Sequence, residues 1–74
     1  MIRYKNQHGN SGVLAYEIGE DSITIQFVSG DTYLYTYRKP GKTQVERMKV
    51  LAEQGEGLST YLSRVVKGSY EEKL

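Results

Sequence analysis

The chain has 74 residues, one proline and no cysteine, and its formal net charge at pH 7 is +1. This length allows one small domain, which buries roughly 60% of the surface of its unfolded chain. The lack of cysteine excludes disulfides and thiolate metal sites. Domains that bind duplex nucleic acid obligately usually have a pI above about 9, and the pI of this chain is only 7.9.

The positive charges are concentrated in the second half of the chain. Residues 1–37 carry two basic and four acidic side chains, whereas residues 38–74 carry eight basic and five acidic ones. No apolar stretch approaches the roughly 20 residues that cross a bilayer, and the N-terminus lacks the apolar run of a signal peptide. We therefore expect a cytoplasmic protein that makes no membrane contact.

Residues 1–12 are mostly polar and contain the sequence Gly-Asn-Ser-Gly near their end, which predicts an irregular N-terminal arm. His8, the only histidine, lies in this arm. Because the chain offers no cysteine as a partner, His8 predicts neither a zinc site nor a catalytic triad. The sequence predicts no enzymatic activity, no metal and no small-molecule cofactor.

Three segments after this arm alternate apolar and polar side chains, at residues 14–18, 23–27 and 33–37. A period of two predicts three antiparallel strands joined by tight turns. A two-residue loop at residues 20–21 would place the apolar side chains of the first two strands on one sheet face, with Leu14 opposite Phe27.

The third strand carries Tyr33, Tyr35 and Tyr37 at alternate positions, so their rings share one face. A three-residue loop at residues 28–30, with its glycine in the left-handed position, would turn these rings toward the core. A two-residue loop would instead bury Leu34 and leave the rings available for stacking on bases. We favour the first register, because Leu34 and its threonine neighbours make a poor core face.

Helical spacing replaces the alternating pattern after the third strand. Thr43 and Glu46 have the spacing of a capping box, which predicts the start of a helix, and Gly55 predicts its end. A second amphipathic pattern runs from Leu58 to Val65 and predicts another helix.

Together these patterns predict an α+β domain: a three-stranded antiparallel β-meander followed by two short helices packed on one sheet face. The domain would span residues 13–70, between the N-terminal arm at 1–12 and a C-terminal tail at 71–74. The expected core contains Leu14, Ile23, Ile25, Phe27, Val45, Met48, Leu51, Leu62 and Val65.

The segment from Phe27 to Tyr35 resembles the centre of the KTSC domain family, which is named after the C-terminus of some lysyl-tRNA synthetases. The family consists of short bacterial domains with a central Tyr-x-Tyr motif, which Tyr33 and Tyr35 match. The resemblance covers residues 13–70, but residues 36–40 and Gln54 depart from the family pattern. Through the synthetase association, it implies RNA as a partner. Further matches are Ile18, Gly19, Ala52, either Gly55 or Gly57 between the helices, and Tyr70.

An aromatic ring and several cations occur together where the third strand ends. Tyr37 would stack an unpaired base, and neighbouring cations would meet phosphates beside the free amides of the next helix. Alternatively, this segment is a solvated turn and the tyrosines serve the core. The candidate RNA-binding residues are Tyr37, Arg38, Lys39, Lys42, Arg64 and Lys67.

A protein-interaction module is the competing hypothesis. In that case the outer sheet face would contact a protein partner or a second copy of the chain. Salt separates the two hypotheses, because RNA binding weakens steeply with salt through counterion release and an apolar interface does not. The residues expected on that face are Val13, Ala15, Thr32, Leu34 and Thr36.

Overall fold

Five antiparallel strands and two helices make up the structure, a computed structural model that describes residues 1–7, 9 and 11–74. The strands form one sheet in chain order, so the α+β class is confirmed, but the sheet has two strands more than the predicted three. His8 lies outside the described residues, and so does the expectation made for it. The strands are β1 (Ile2–Arg3), β2 (Val13–Ile18), β3 (Ser22–Phe27), β4 (Thr32–Thr36) and β5 (Glu72–Lys73), and the helices are α1 (Lys42–Gln54) and α2 (Leu58–Tyr61), which continues as a π-helical turn, Leu62–Val66.

Both central turns have the predicted lengths. The two-residue loop at residues 20–21 pairs Ile18 with Ile23. The three-residue loop at residues 28–30 pairs Ile23 with Tyr35, and Tyr35 is only 3% exposed. The register in which the tyrosine strand faces the core is therefore confirmed.

A bulge in β2 changes the predicted pairing at its first residues. The register shifts between Val13 and Ala15, so Val13 rather than Leu14 pairs with Phe27. A bulge adds one residue to its strand, which reverses the side-chain alternation before it. Val13 is consequently 2% exposed while Leu14 is half-buried, so the predicted core position of Leu14 is wrong.

The N-terminal residues belong to the sheet. In β1, Arg3 pairs with Ala15 of β2. The next residue, Tyr4, is buried in the core, and its hydroxyl oxygen accepts a hydrogen bond of 3.3 Å from the Leu58 amide of α2. One aromatic side chain thus connects the N-terminal segment to the helical layer.

The C-terminal residues form the opposite sheet edge. In β5, Glu72 pairs with Leu34, and Lys73 pairs with Tyr33. The Glu71 amide donates to the Leu34 carbonyl at 2.8 Å. β5 therefore covers the edge of β4 that a three-stranded meander would leave open.

The core lies between the sheet and the helices, and α1 packs on β3 and β4. The predicted core position of Val65 is wrong, because Val65 is 48% exposed and Val66 is buried in its place. The reason is the π-helical turn, in which the Lys67 amide donates to the Leu62 carbonyl. A π-helical turn holds one residue more than an α-helical turn, so it moves the buried position one residue along. The buried core residues are Tyr4, Val13, Tyr16, Ile23, Ile25, Tyr35, Val45, Met48, Leu51, Ala52, Leu58, Leu62 and Val66.

The predicted capping box does not form. Helix α1 begins at Lys42, its N-cap is Gly41 with φ of 121°, and no side chain caps it. Thr43 therefore lies inside the first turn, where its hydroxyl is past the capping position. The predicted end is confirmed, because Gly55 adopts the left-handed conformation at the C-cap, with φ of 78°.

Neither helix has the length that a bilayer crossing requires. The longer one, α1, has 13 residues. No helix in the described part of the chain is both long and apolar enough to cross a membrane. Among the same residues, no group of three or more His, Cys, Asp or Glu side chains is placed to hold a metal ion.

Candidate functional site

The six predicted RNA-binding residues lie at three places on the molecule. Residues 37–42 surround the start of α1. Arg64 lines a groove between α1 and α2, and Lys67 lines a smaller groove beside the sheet aromatics. The structure thus keeps the four neighbours in sequence together and places Arg64 and Lys67 in separate grooves.

Tyr37 is engaged by α1. Its hydroxyl donates to the Glu46 carboxylate at 2.5 Å, which raises the pKa of Tyr37 to about 12. The ammonium groups of Lys42 and Lys49 lie 5.7 Å and 5.6 Å from its ring centroid. Salt bridging with Lys49 at 2.8 Å and the Tyr37 hydrogen bond lower the pKa of Glu46. Tyr37 therefore connects the residues that follow β4 to α1, and the ammonium groups of Lys42 and Lys49 already occupy positions near its ring.

Arg38 is paired with the C-terminal segment. Its guanidinium donates to both carboxylate oxygens of Glu71, with Nε 2.9 Å from Oε1, although its side chain is 83% exposed. The Thr36 hydroxyl donates to the same carboxylate at 3.0 Å. The arginine and the hydroxyl together lower the pKa of Glu71 to about 2. The charge of Arg38 is thus largely balanced by one carboxylate.

Lys39 and Lys42 remain exposed near the start of α1. Neither ammonium group forms an ion pair within residues 1–7, 9 and 11–74. They supply positive potential to this end of the molecule, but neither of them lines the groove of Arg64 or the groove of Lys67.

A groove between α1 and α2, here called the helix groove, has a volume of about 800 Å³. Arg47 of α1 and Arg64 of the π-helical turn both line it, with the half-buried ring of Tyr61. Leu51 and Val65 add apolar surface. In the described part of the chain, neither arginine forms an ion pair or a side-chain hydrogen bond.

Helical spacing brings these side chains to the helix groove. Arg47 lies one turn before Leu51 on α1, so these two share a helix face, while Tyr61 at the end of α2 and Arg64 in the π-helical turn line the same groove. The connection between the helices turns sharply through Gly57, whose φ is 82°. This turn sets the two faces side by side.

A second concavity, here called the aromatic groove, has a volume of about 350 Å³ and is lined by Phe27, Tyr33, Leu62, Lys67 and Tyr70. The ring centroids of Tyr33 and Tyr70 are 4.7 Å apart, and those of Phe27 and Tyr33 are 5.7 Å apart at 74°. The first pair is tilted and the second is edge-to-face, as is ordinary in aromatic clusters. The floor of the aromatic groove is apolar, and its rim carries the cation of Lys67.

The two residues that match the family motif have different surroundings. Tyr35 is buried against the helices, and this burial raises its pKa to about 12. Tyr33 is only half-buried and packs at the edge of the core. Tyr35 therefore serves the core, whereas Tyr33 presents part of its ring in the aromatic groove.

The outer sheet face is largely polar. Glu17, Thr24, Leu34 and Glu72 are aligned across four strands, and Leu34 is the single large apolar residue of that row. Of the residues expected on this face for a protein contact, Val13 is instead part of the core at 2% exposure, whereas Ala15 stays on this face, paired with Arg3 and Gln26, and is 8% exposed. This face offers little apolar area to a partner.

Sequence reasoning missed Arg47 and the role of Tyr61. Arg47 lies between predicted core positions and reads as an ordinary exposed helix residue, while Tyr61 reads as part of an apolar stripe. The available signal was the spacing of Tyr61 and Arg64, which places a ring and a guanidinium on one helix face. Their proximity to Arg47 depends on how the two helices pack.

Comparison with known proteins gives no relative for this chain. No protein-family model, no curated protein and no solved structure matches it.

Proposed function

We propose that this protein is a small non-catalytic module that binds single-stranded RNA in the helix groove. The observation that carries the proposal is the pair of arginines, Arg47 and Arg64, which share a groove of about 800 Å³ with Tyr61 and form no ion pair within the described residues. Unpaired guanidinium groups at a concave surface suit phosphate oxygens, which they contact with two parallel hydrogen bonds.

The tyrosine and the apolar lining explain why a single strand is the better ligand. An unpaired base offers a free face for stacking on an aromatic ring, and such stacking tolerates any base. In a duplex the bases are already stacked, so Tyr61 would gain no partner. Leu51 and Val65 add apolar surface beside the ring. The volume falls in the range of about 300–1,000 Å³ that accepts small organic ligands.

The cations near the start of α1 have a supporting role in this proposal. Lys39 and Lys42 are exposed and would attract the strand at long range, with Arg38 contributing less because Glu71 balances its charge. Tyr37 would not stack a base, because its ring and hydroxyl are engaged by α1. RNA is also the partner that the KTSC resemblance implies. We propose in addition that the protein acts in the cytoplasm.

Substitution of the groove arginines tests the proposal. We expect Arg47→Gln and Arg64→Gln each to weaken binding of a labelled oligouridylate on the order of tenfold, and each to reduce the salt slope by about one. Fluorescence anisotropy at several salt concentrations measures both quantities. Arg3→Gln is the matched control, because Arg3 is exposed on β1 and does not line the helix groove.

The stacking contribution needs a separate pair of variants. Tyr61→Leu should weaken binding by about 5- to 150-fold, since one stacked base is worth about 1–3 kcal/mol. Tyr61→Phe keeps the ring and should bind more tightly than Tyr61→Leu. If wild-type protein fails to bind the oligouridylate at low salt, or if both arginine variants bind like Arg3→Gln, the RNA proposal is wrong and a protein partner becomes the better hypothesis.

A further inference from the structure

We infer that the aromatic groove is a second base-binding subsite, which holds another nucleotide of the same RNA strand on the opposite side of α2. This inference rests on the proposed RNA binding in the helix groove, and it adds a path across the molecule. Three kinds of observation carry it: the aromatic surface, the unpaired cation at its rim and the continuity between the two grooves.

The aromatic surface is suited to a base. Phe27, Tyr33 and Tyr70 are each half-buried, so part of every ring remains accessible. Their mutual contacts, with Tyr33 in the middle, fix the rings before any ligand arrives. A base that packs on preformed aromatic surface gains stacking energy without first ordering the side chains that receive it.

Charge favours a nucleotide over an uncharged occupant. Lys67 lines the aromatic groove, is exposed and forms no ion pair in the part of the chain that the structure describes. The ammonium group of Lys73 lies 5.8 Å from the Tyr33 centroid and 3.6 Å from an Asp31 carboxylate oxygen, so Lys67 is the freer of the two cations. A phosphate beside a stacked base would meet Lys67.

The two grooves meet at one residue. Ser59 of α2 lines both of them. Arg64 lies on the helix-groove side and Lys67 on the aromatic-groove side of the same short helical segment. A strand that leaves Tyr61 can therefore cross the segment near Ser59 and enter the aromatic groove, with a cation on each side of the crossing.

The backbone at the crossing is itself unusual. Lys67 directly follows the π-helical turn as its C-cap, and it is a non-glycine residue with φ of 54° and ψ of −132°. Such a conformation costs energy and is found preferentially where it serves a site, as are π-helical turns. Here both features occur at the one free cation of the aromatic groove within the described residues.

A length series of oligouridylates tests this inference. If two subsites act on one strand, wild-type affinity should rise by more than about tenfold between two and eight nucleotides, because the second contact becomes intramolecular. Lys67→Gln and Tyr70→Leu should each lose most of this gain, and Tyr70→Phe should restore it relative to Tyr70→Leu. Because Lys67 is exposed, Lys67→Gln should fold like wild type. It therefore still tests the second subsite if Tyr70→Leu unfolds.

The outcomes separate this inference from the function on which it rests. If Lys67→Gln and a folded Tyr70→Leu keep the full gain while Arg64→Gln lowers affinity, the second subsite is wrong and RNA binding in the helix groove stands. If wild-type protein binds no oligomer at low salt, both proposals fail. Arg3→Gln serves again as the charge-matched control and should show the wild-type length dependence.

Discussion

Glu71 joins the C-terminal segment to the end of β4 through its side chain. Its carboxylate receives hydrogen bonds from Arg38 and from the Thr36 hydroxyl, and these contacts lower its pKa from 4.5 to about 2. A group whose pKa is lower in the folded state than in the unfolded state stabilises the fold when it is ionised in both.

The stability of the protein should therefore fall in acid partly through Glu71. Its contribution is complete above the unfolded pKa of 4.5 and is lost as the pH falls toward the folded value of about 2. Glu71→Gln should melt at a lower temperature than wild type at about pH 6, and the difference should shrink steadily as the pH approaches about 2. Thermal unfolding followed by circular dichroism measures this.

The neighbouring carboxylate supplies the control. Glu72 is exposed in β5, so Glu72→Gln removes the same charge from the same segment without touching Arg38 or Thr36. It should follow the wild-type curve. A Glu71→Gln protein whose melting temperature stays equally far below wild type at every pH would contradict the role assigned to this ion pair.

At the scale of elements, the long strands were predictable and the short ones were not. Residues of β2, β3 and β4 alternate over five or six positions, and both central turns carry their own signals. β1 and β5 have two residues each, which is too few for a period of two to be visible. Their pairing depends on neighbours such as Tyr4, whose burial no local pattern indicates.

The second helix shows how one altered turn changes a correct pattern. Leu62 is buried as predicted, but the π-helical turn moves the next buried position from Val65 to Val66. Periodicity assumes one helix geometry throughout, so the error begins where the geometry changes. The exposed Val65 then contributes to the helix groove.

The residue that caps this turn offers a test of stored strain. Lys67 has φ of 54°, a region that favours glycine, so Lys67→Gly should raise the free energy of unfolding by about 1 kcal/mol. The same variant lacks the ammonium group and should bind long oligouridylates more weakly. Urea unfolding and anisotropy measure the two effects.

Lys67→Ala is the matched variant for this experiment. It removes the ammonium group but keeps a Cβ atom in the left-handed region, so it should lose affinity without gaining stability. A Lys67→Gly protein that is no more stable than Lys67→Ala would show that the conformation costs little.

At the scale of the whole molecule, the candidate site was only partly predictable. Arg64 and Lys67 were expected to join the cations near Lys42, but they line separate grooves on either side of α2. Sequence spacing fixes which residues share one helix face, whereas the packing of one helix against another decides which faces meet. Because the proximity of Arg47 to Tyr61 depends on this packing, the sequence spacing does not predict it.

The central claim is that RNA binds across α2 from the helix groove to the aromatic groove. The most direct test is a titration of ¹⁵N-labelled protein with an oligouridylate of about eight nucleotides at low salt, followed by amide chemical shifts. We predict that the shifts concentrate at Gly57, Ser59, Tyr61, Arg64 and Lys67 and leave Thr24 on the outer sheet face unchanged. Shifts confined to the outer face or to residues 37–42, or no shifts at all, would contradict the claim.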